Sequence, residues 1–173
     1  MKGFVLGVVV TILAIGAIVY VYFAPGMAPV ATSASSMPFE NKFAHMALHA
    51  RIEKEMPTQV PVPVDEANLV AGAHVYMEQC VVCHGVPGKD QTAIAKGEFP
   101  RPPHLFKGKG VTDDEPGETY WKVANGIRLT GMPGFNQQLS TTEMWQVSLL
   151  LAHADKLSDA AKAVLESPNK SGT

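Results

Sequence analysis

From Gly3 to Phe23 the chain runs for 21 residues without a charge, and 17 of them are apolar. Such a run leaves little choice of conformation. In hydrocarbon the backbone N–H and C=O groups find no water, so a lone segment satisfies them only by forming a helix. At about 1.5 Å per residue this one reaches about 31 Å, which matches a bilayer core of about 30 Å. Lys2 precedes the run, and Tyr20, Tyr22 and Phe23 close it as an interfacial aromatic cluster. The expectation is a transmembrane anchor over residues 3–23, with the N-terminus in the cytoplasm and the remainder outside it. The alternative is a removable signal sequence, for which the small residues from Ala28 to Ala34 offer a cleavage site.

Outside that run the apolar fraction falls to about 41%, an ordinary value for a soluble domain. A chain of 173 residues suits one compact domain with accessories, and a net charge of −2 gives no electrostatic basis for binding nucleic acid. Residues 24–66 hold six prolines (Pro25, Pro29, Pro38, Pro57, Pro61 and Pro63) and read as a linker. As a flexible chain it would span about 35–40 Å. Within it, residues 39–56 lack an internal proline and place Phe39, Phe43, Met46, Ala47 and Ala50 at helical spacing, which predicts a short helix lying on the membrane or on a partner. His45 and His49 share a face of that helix, but no third ligand is near in sequence, so they read as solvated side chains.

The only two cysteines fall in Cys80-Val81-Val82-Cys83-His84. Two thiols three positions apart on a helical turn can each add to one vinyl group of a haem, leaving the adjacent imidazole beneath the ring as an iron ligand. The same residues allow two other chemistries. A dithiol redox site needs a strand before it, and no alternating β-branched run is present. A zinc site needs further ligands from His74, His104 or His153, at spacings that fit no familiar finger. Haem attachment is the reading carried forward. For the opposite face of the iron, Met132 lies in Thr130-Gly131-Met132-Pro133-Gly134, an irregular loop able to project a thioether, whereas Met144 lies in an apolar helical stretch. His104 or an open position are the alternatives.

Three helices are expected in the haem domain. One carries Leu69, Ala73, Tyr76 and Met77 on one face and runs into Cys80; a second spans about residues 118–127; a third starts at Thr141 or Thr142 and reaches about Leu157. Residues 85–114 read as loop, and no strand is convincing. The fold class is therefore all-α.

Residues 67–158 resemble a class I monohaem c-type cytochrome, through the Cys-x-x-Cys-His motif and the Thr130-Gly131-Met132-Pro133 loop 48 residues after His84. The resemblance implies one covalent haem c, with thioethers to Cys80 and Cys83 and iron ligation by His84 and Met132. It also implies that the first and last helices cross where Gly72 and Tyr76 meet Trp145 and Leu149. Residues Phe99 to Leu105 are similar to the family's proline loop, so the carbonyl of Pro102 or Pro103 would accept the other imidazole N–H and raise its basicity. Arg101, Trp121 and Arg128 are candidates to contact the haem propionates. Residues 159–173 are a tail whose alanine-rich start would extend the last helix.

The function expected from these features is single-electron transfer in a respiratory chain or related membrane system. The domain would sit on the periplasmic side of a bacterial cytoplasmic membrane. Its partners would be redox proteins such as a quinol-oxidising complex, a dehydrogenase or a terminal oxidase, with no small-molecule substrate. No catalytic residue is assigned; the rival reading makes the chain a fixed cytochrome subunit of a larger oxidoreductase. Docking would use basic residues Lys89, Lys96, Arg101, Lys107 and Lys109, followed in sequence by the acidic run Asp113, Asp114, Glu115 and Glu118.

Overall fold

The computed structural model describes residues 2–108 and 112–167, so Lys109 and the last six residues of the tail lie outside the described residues. The chain divides between Phe43 and Ala44 into two compact units. The first holds α1 (Lys2–Phe23), a single apolar helix with no buried residue, long and apolar enough to cross a membrane. Helix α2 (Glu40–Glu55) begins at the end of this unit and continues into the second.

The second unit is built from α2's remainder and six further helices, and no strand occurs among the described residues. Asp65 starts α3 (Glu66–Gln79): its carboxylate accepts the Asn68 N–H at 2.9 Å, satisfying one of the donors a helix start leaves unpaired. The expected stripe of Leu69, Ala73, Tyr76 and Met77 is buried. Cys80 caps α3, and the next turn, α4 (Val81–His84), stops at Gly85, whose φ of +73° favours a residue without a Cβ. The stretch read as loop contains a short helix, α5 (Ala93–Gly97), capped by the Thr92 hydroxyl.

Helix α6 (Pro116–Asn125) opens on a proline, which has no N–H to waste at a helix start. Helix α7 (Thr141–Ala152) opens on a full capping box between Ser140 and Glu143. The core forms where α3 crosses α7, with α6 packed on α7 and α8 (Asp159–Glu166) packed on α3. At the crossing a Cβ on Gly72 would overlap the Gln146 carbonyl, so glycine sets how closely the two helices approach. Leu149, Tyr76 and Trp145 are all buried, and the ring partners of the two aromatic residues come from outside α3 and α7. Trp145 stacks on Tyr120 of α6 at a centroid distance of 4.3 Å, and Tyr76 makes an edge contact with Phe106 at 5.1 Å.

The tail does not extend α7. The chain turns after Ala152, and the Ser158 hydroxyl accepts the Ala161 N–H to start α8, which brings Leu165 into the core at 1% exposure. Ser158-Asp159 is a helix-start signal, a capping hydroxyl followed by an acidic first turn, and it outweighs the alanine-rich continuity. The end of α2 packs within this unit too. Ile52 is buried, the Trp121 indole N–H donates to Glu55 at 3.2 Å, and a Cβ on Gly117 would overlap the Pro57 carbonyl.

Candidate functional site

Cys80, the residue that caps α4, and Cys83 within it stand three positions apart, neither in a disulfide. Burial pushes the Cys80 thiol up to about 12, and the neighbouring Cys83 adds to the effect. Cys83 is also raised, by burial and then by its hydrogen bond to Glu98, where the S–H donates to Oε1 at 3.4 Å. Both sulfurs are therefore held as thiols, the form whose addition to a vinyl group yields a thioether with nothing left over.

The next residue, His84, is fixed by its ring. Nδ1 hydrogen-bonds the Pro103 carbonyl at 2.8 Å, which makes Nδ1 the protonated nitrogen and leaves Nε2 with a free lone pair. Burial lowers the imidazole's proton affinity, partly offset by the Pro103 carbonyl, so the ring is held neutral and able to ligate. The neighbouring Pro102 carbonyl has a different partner, the Gln91 amide at 2.8 Å.

Three further bonds hold the turn and the proline loop in register. Thr92 Oγ1 donates to the Val82 carbonyl at 2.6 Å, and Gln91 Nε2 donates to the Cys83 carbonyl at 2.9 Å. The Tyr76 hydroxyl donates to the Gly85 carbonyl at 2.6 Å. A Cβ on Gly85 would lie 2.9 Å from His104 Nε2, and that nitrogen is taken by the Lys89 carbonyl at 2.9 Å.

The Met132 loop is anchored by its own backbone. The Thr130 hydroxyl donates to Ile127 O at 2.6 Å and accepts the Met132 N–H at 3.1 Å, while Met132 O accepts the Ile127 N–H at 3.1 Å. This folded loop lies across the end of α6. Gly126, at φ +67°, ends that helix where a Cβ would overlap the backbone of Met132 through Gly134. Met132 packs, half-buried, against the hydrophobic core.

One side chain links the two halves. The Glu98 carboxylate that accepts from Cys83 also lies against Gly131, where a Cβ would be 2.6 Å from Oε2. The attachment turn and the residue beside Met132 are thus within reach of a single carboxylate. Of the three residues considered for propionate contact, two are engaged elsewhere, Arg101 Nε donating to Gln91 Oε1 at 3.2 Å and Trp121 to Glu55, while Arg128 is exposed. Glu98, Gln91 and Glu55 carry no sequence signal, since each is a single polar residue in a loop or at a helix end.

A helical core that carries a turn with two free thiols and a neutral imidazole, linked through Glu98 to a methionine loop, is the arrangement of a c-type cytochrome domain. Residues 67–149 match the family described as cytochrome C oxidase, cbb3-type, subunit III, and this segment is a c-type cytochrome domain, as the resemblance to the class I monohaem type led us to expect. That class implies covalently bound haem c, and the donor set fits it: two thiols, a nitrogen with a free lone pair, and a thioether. No curated protein matches the chain. Among solved structures, a chain of the reducing HAO-like protein complex of Kuenenia stuttgartiensis is similar at 25% identity, over 58% of this chain and 50% of that one, with a TM-score of 0.45. The present chain spans about half the length of that chain.

Proposed function

We propose that this electron-transfer cytochrome is a membrane-anchored carrier with one haem c, joined to Cys80 and Cys83 and ligated by His84 and Met132. It passes single electrons between membrane redox partners on the periplasmic side of a bacterial cytoplasmic membrane. The observation that carries this reading is the His84 Nδ1 bond to the Pro103 carbonyl, which orients the ring and leaves Nε2 free for iron. Haem c so ligated supplies one-electron chemistry at a raised potential, because a thioether favours reduced iron. The chain's own part is to hold both axial donors on separately braced segments, α4 against the proline loop and Met132 against α6, so that neither moves when the charge changes. We assign a propionate contact to Arg128, which is exposed next to the Met132 loop, with Arg101 and Trp121 joining it only by leaving the partners they have here.

The oxidised protein should show a weak long-wavelength charge-transfer band from sulfur to iron, a mark of thioether ligation. Met132→Ala should abolish the band and lower the potential; if both were unchanged, the ligand assignment would be wrong. The family description favours a second reading, in which the chain is a fixed subunit of a membrane oxidoreductase. Protection of residues 24–39 from protease within an isolated complex would select it, and free cleavage there would select the mobile carrier.

A further inference from the structure

We propose that Gln91 is the positioning residue for His84: its carboxamide clamps the backbone carbonyls of Cys83 and Pro102 together and so holds the Pro103 carbonyl against the imidazole. The inference rests on the reading of His84 as an iron ligand and adds to it a residue that sets how strongly that ligand donates.

The bonds are specific. Nε2 donates one proton to Cys83 O at 2.9 Å and one to Pro102 O at 2.8 Å, and Oε1 accepts from Arg101 Nε at 3.2 Å. Gln91 is 9% exposed, so these are its partners in place of water. The amide orientation follows from the chemistry, since both carbonyls need a donor and the guanidinium needs an acceptor. Each clamped carbonyl belongs to the residue just before one partner of the imidazole bond: Cys83 precedes His84, and Pro102 precedes Pro103. Gln91 therefore fixes the separation of the two short backbone segments that the Nδ1–H···O bond must bridge. Thr92 repeats the arrangement one residue away, tying Val82 O at 2.6 Å, so carbonyls 82 and 83 and the ring of residue 84 are all fastened to the loop.

A consequence for the iron follows. A hydrogen bond to the distal nitrogen of a ligating imidazole makes the ring more basic, and a more basic ligand stabilises the oxidised metal. If the clamp is removed, the Pro103 carbonyl recedes, the bond lengthens, and the potential rises. A side chain that merely stabilised the loop would lower the melting temperature and leave the potential where it was.

The experiment uses the full-length holoprotein in detergent. Gln91→Met keeps volume and charge but has no donors. Its reduced-to-oxidised ratio at a fixed ambient potential should rise about threefold, or about 28 mV at 59 mV per tenfold. The His84 Nδ1–H signal should exchange faster with solvent. Gln91→Asn, too short to span both carbonyls, should shift the ratio the same way, and it decides the matter if Gln91→Met fails to mature. Ser140→Ala, which weakens a distant helix cap, should lower the melting temperature with no change in ratio. An unchanged ratio and unchanged Nδ1–H exchange in the mature Gln91 variant overturns the proposal. Failure of the ligand reading is distinguishable, because the unmodified protein would then lack a paramagnetically shifted His84 ring.

Discussion

Ser140 and Glu143 exchange bonds at the start of α7. The Ser140 hydroxyl accepts the Glu143 N–H at 3.2 Å, and the Glu143 carboxylate takes the Ser140 N–H at 2.8 Å. The Ser140 hydroxyl also donates to that carboxylate at 2.7 Å, and it and the Ser140 N–H hold the Glu143 carboxyl below its usual range. A depressed carboxylate contributes stability that is present above the unfolded value and lost as pH falls through the folded one. Ser140→Ala should therefore lower the urea midpoint at neutral pH. The gap from the parent should shrink as acidification protonates the Glu143 carboxylate, and a gap that stayed constant would deny the coupling. Gly72 makes the opposite point about small residues. On an open helix face Gly→Ala stabilises by about 1 kcal/mol, but here the new methyl would strike the Gln146 carbonyl. Gly72→Ala should lose about 3 kcal/mol by the same measurement.

Among elements, α2 is tied to α6 by a side chain that sequence reasoning placed at the haem. Trp121→Phe keeps an aromatic ring, though a smaller one, and removes the N–H that reaches Glu55. Losing a hydrogen bond worth about 1 kcal/mol should speed amide exchange at residues 52–57 about fivefold. Exchange that did not change would mean Ile52 alone holds the segment. The contrast shows what was legible in the sequence. The attachment turn, the methionine loop and the buried stripe of α3 were readable because each is local: a fixed spacing, a loop of glycines and proline, a period near 3.6. The choice between Pro102 and Pro103 was not readable, because it depends on which carbonyl Gln91 occupies. The ring partners of Trp145 and Tyr76 were not readable for a related reason. Tyr120 and Phe106 compete for Trp145 and Tyr76, and only three-dimensional packing decides between rings of similar size. The start of α8 at Ser158 was within reach, since its cap is a local signal that alanine content obscured.

At the scale of the molecule, the acidic run after the proline loop is less negative than its sequence reads. Lys122 lies 2.5 Å from Asp114 and 2.8 Å from Glu118. Burial pulls its ammonium down, and the hydrogen bonds and charges of both carboxylates more than restore it, so it stays charged throughout the neutral range. Separation of the chain into two units leads to a further test. A protease site placed between Ala31 and Ser36 should, once cut, release the haem-bearing portion from membranes with its spectrum and melting temperature unaltered. Retention on the membrane after cleavage would reveal a second attachment.

Because Ile52, Glu55 and Pro57 are engaged by the domain itself, the stretch left to act as a stem runs only from Ala24 to Phe39. A coil of that length has a root-mean-square reach of about 22 Å, against about 36 Å for the whole proline-rich segment. The volume explored falls about fourfold, and the carrier's local concentration at any acceptor within range rises in proportion. On the proposed reading as an anchored carrier, an electron on this haem would be delivered to immediate neighbours in the membrane, and distant acceptors would be reached by lateral diffusion of the anchor.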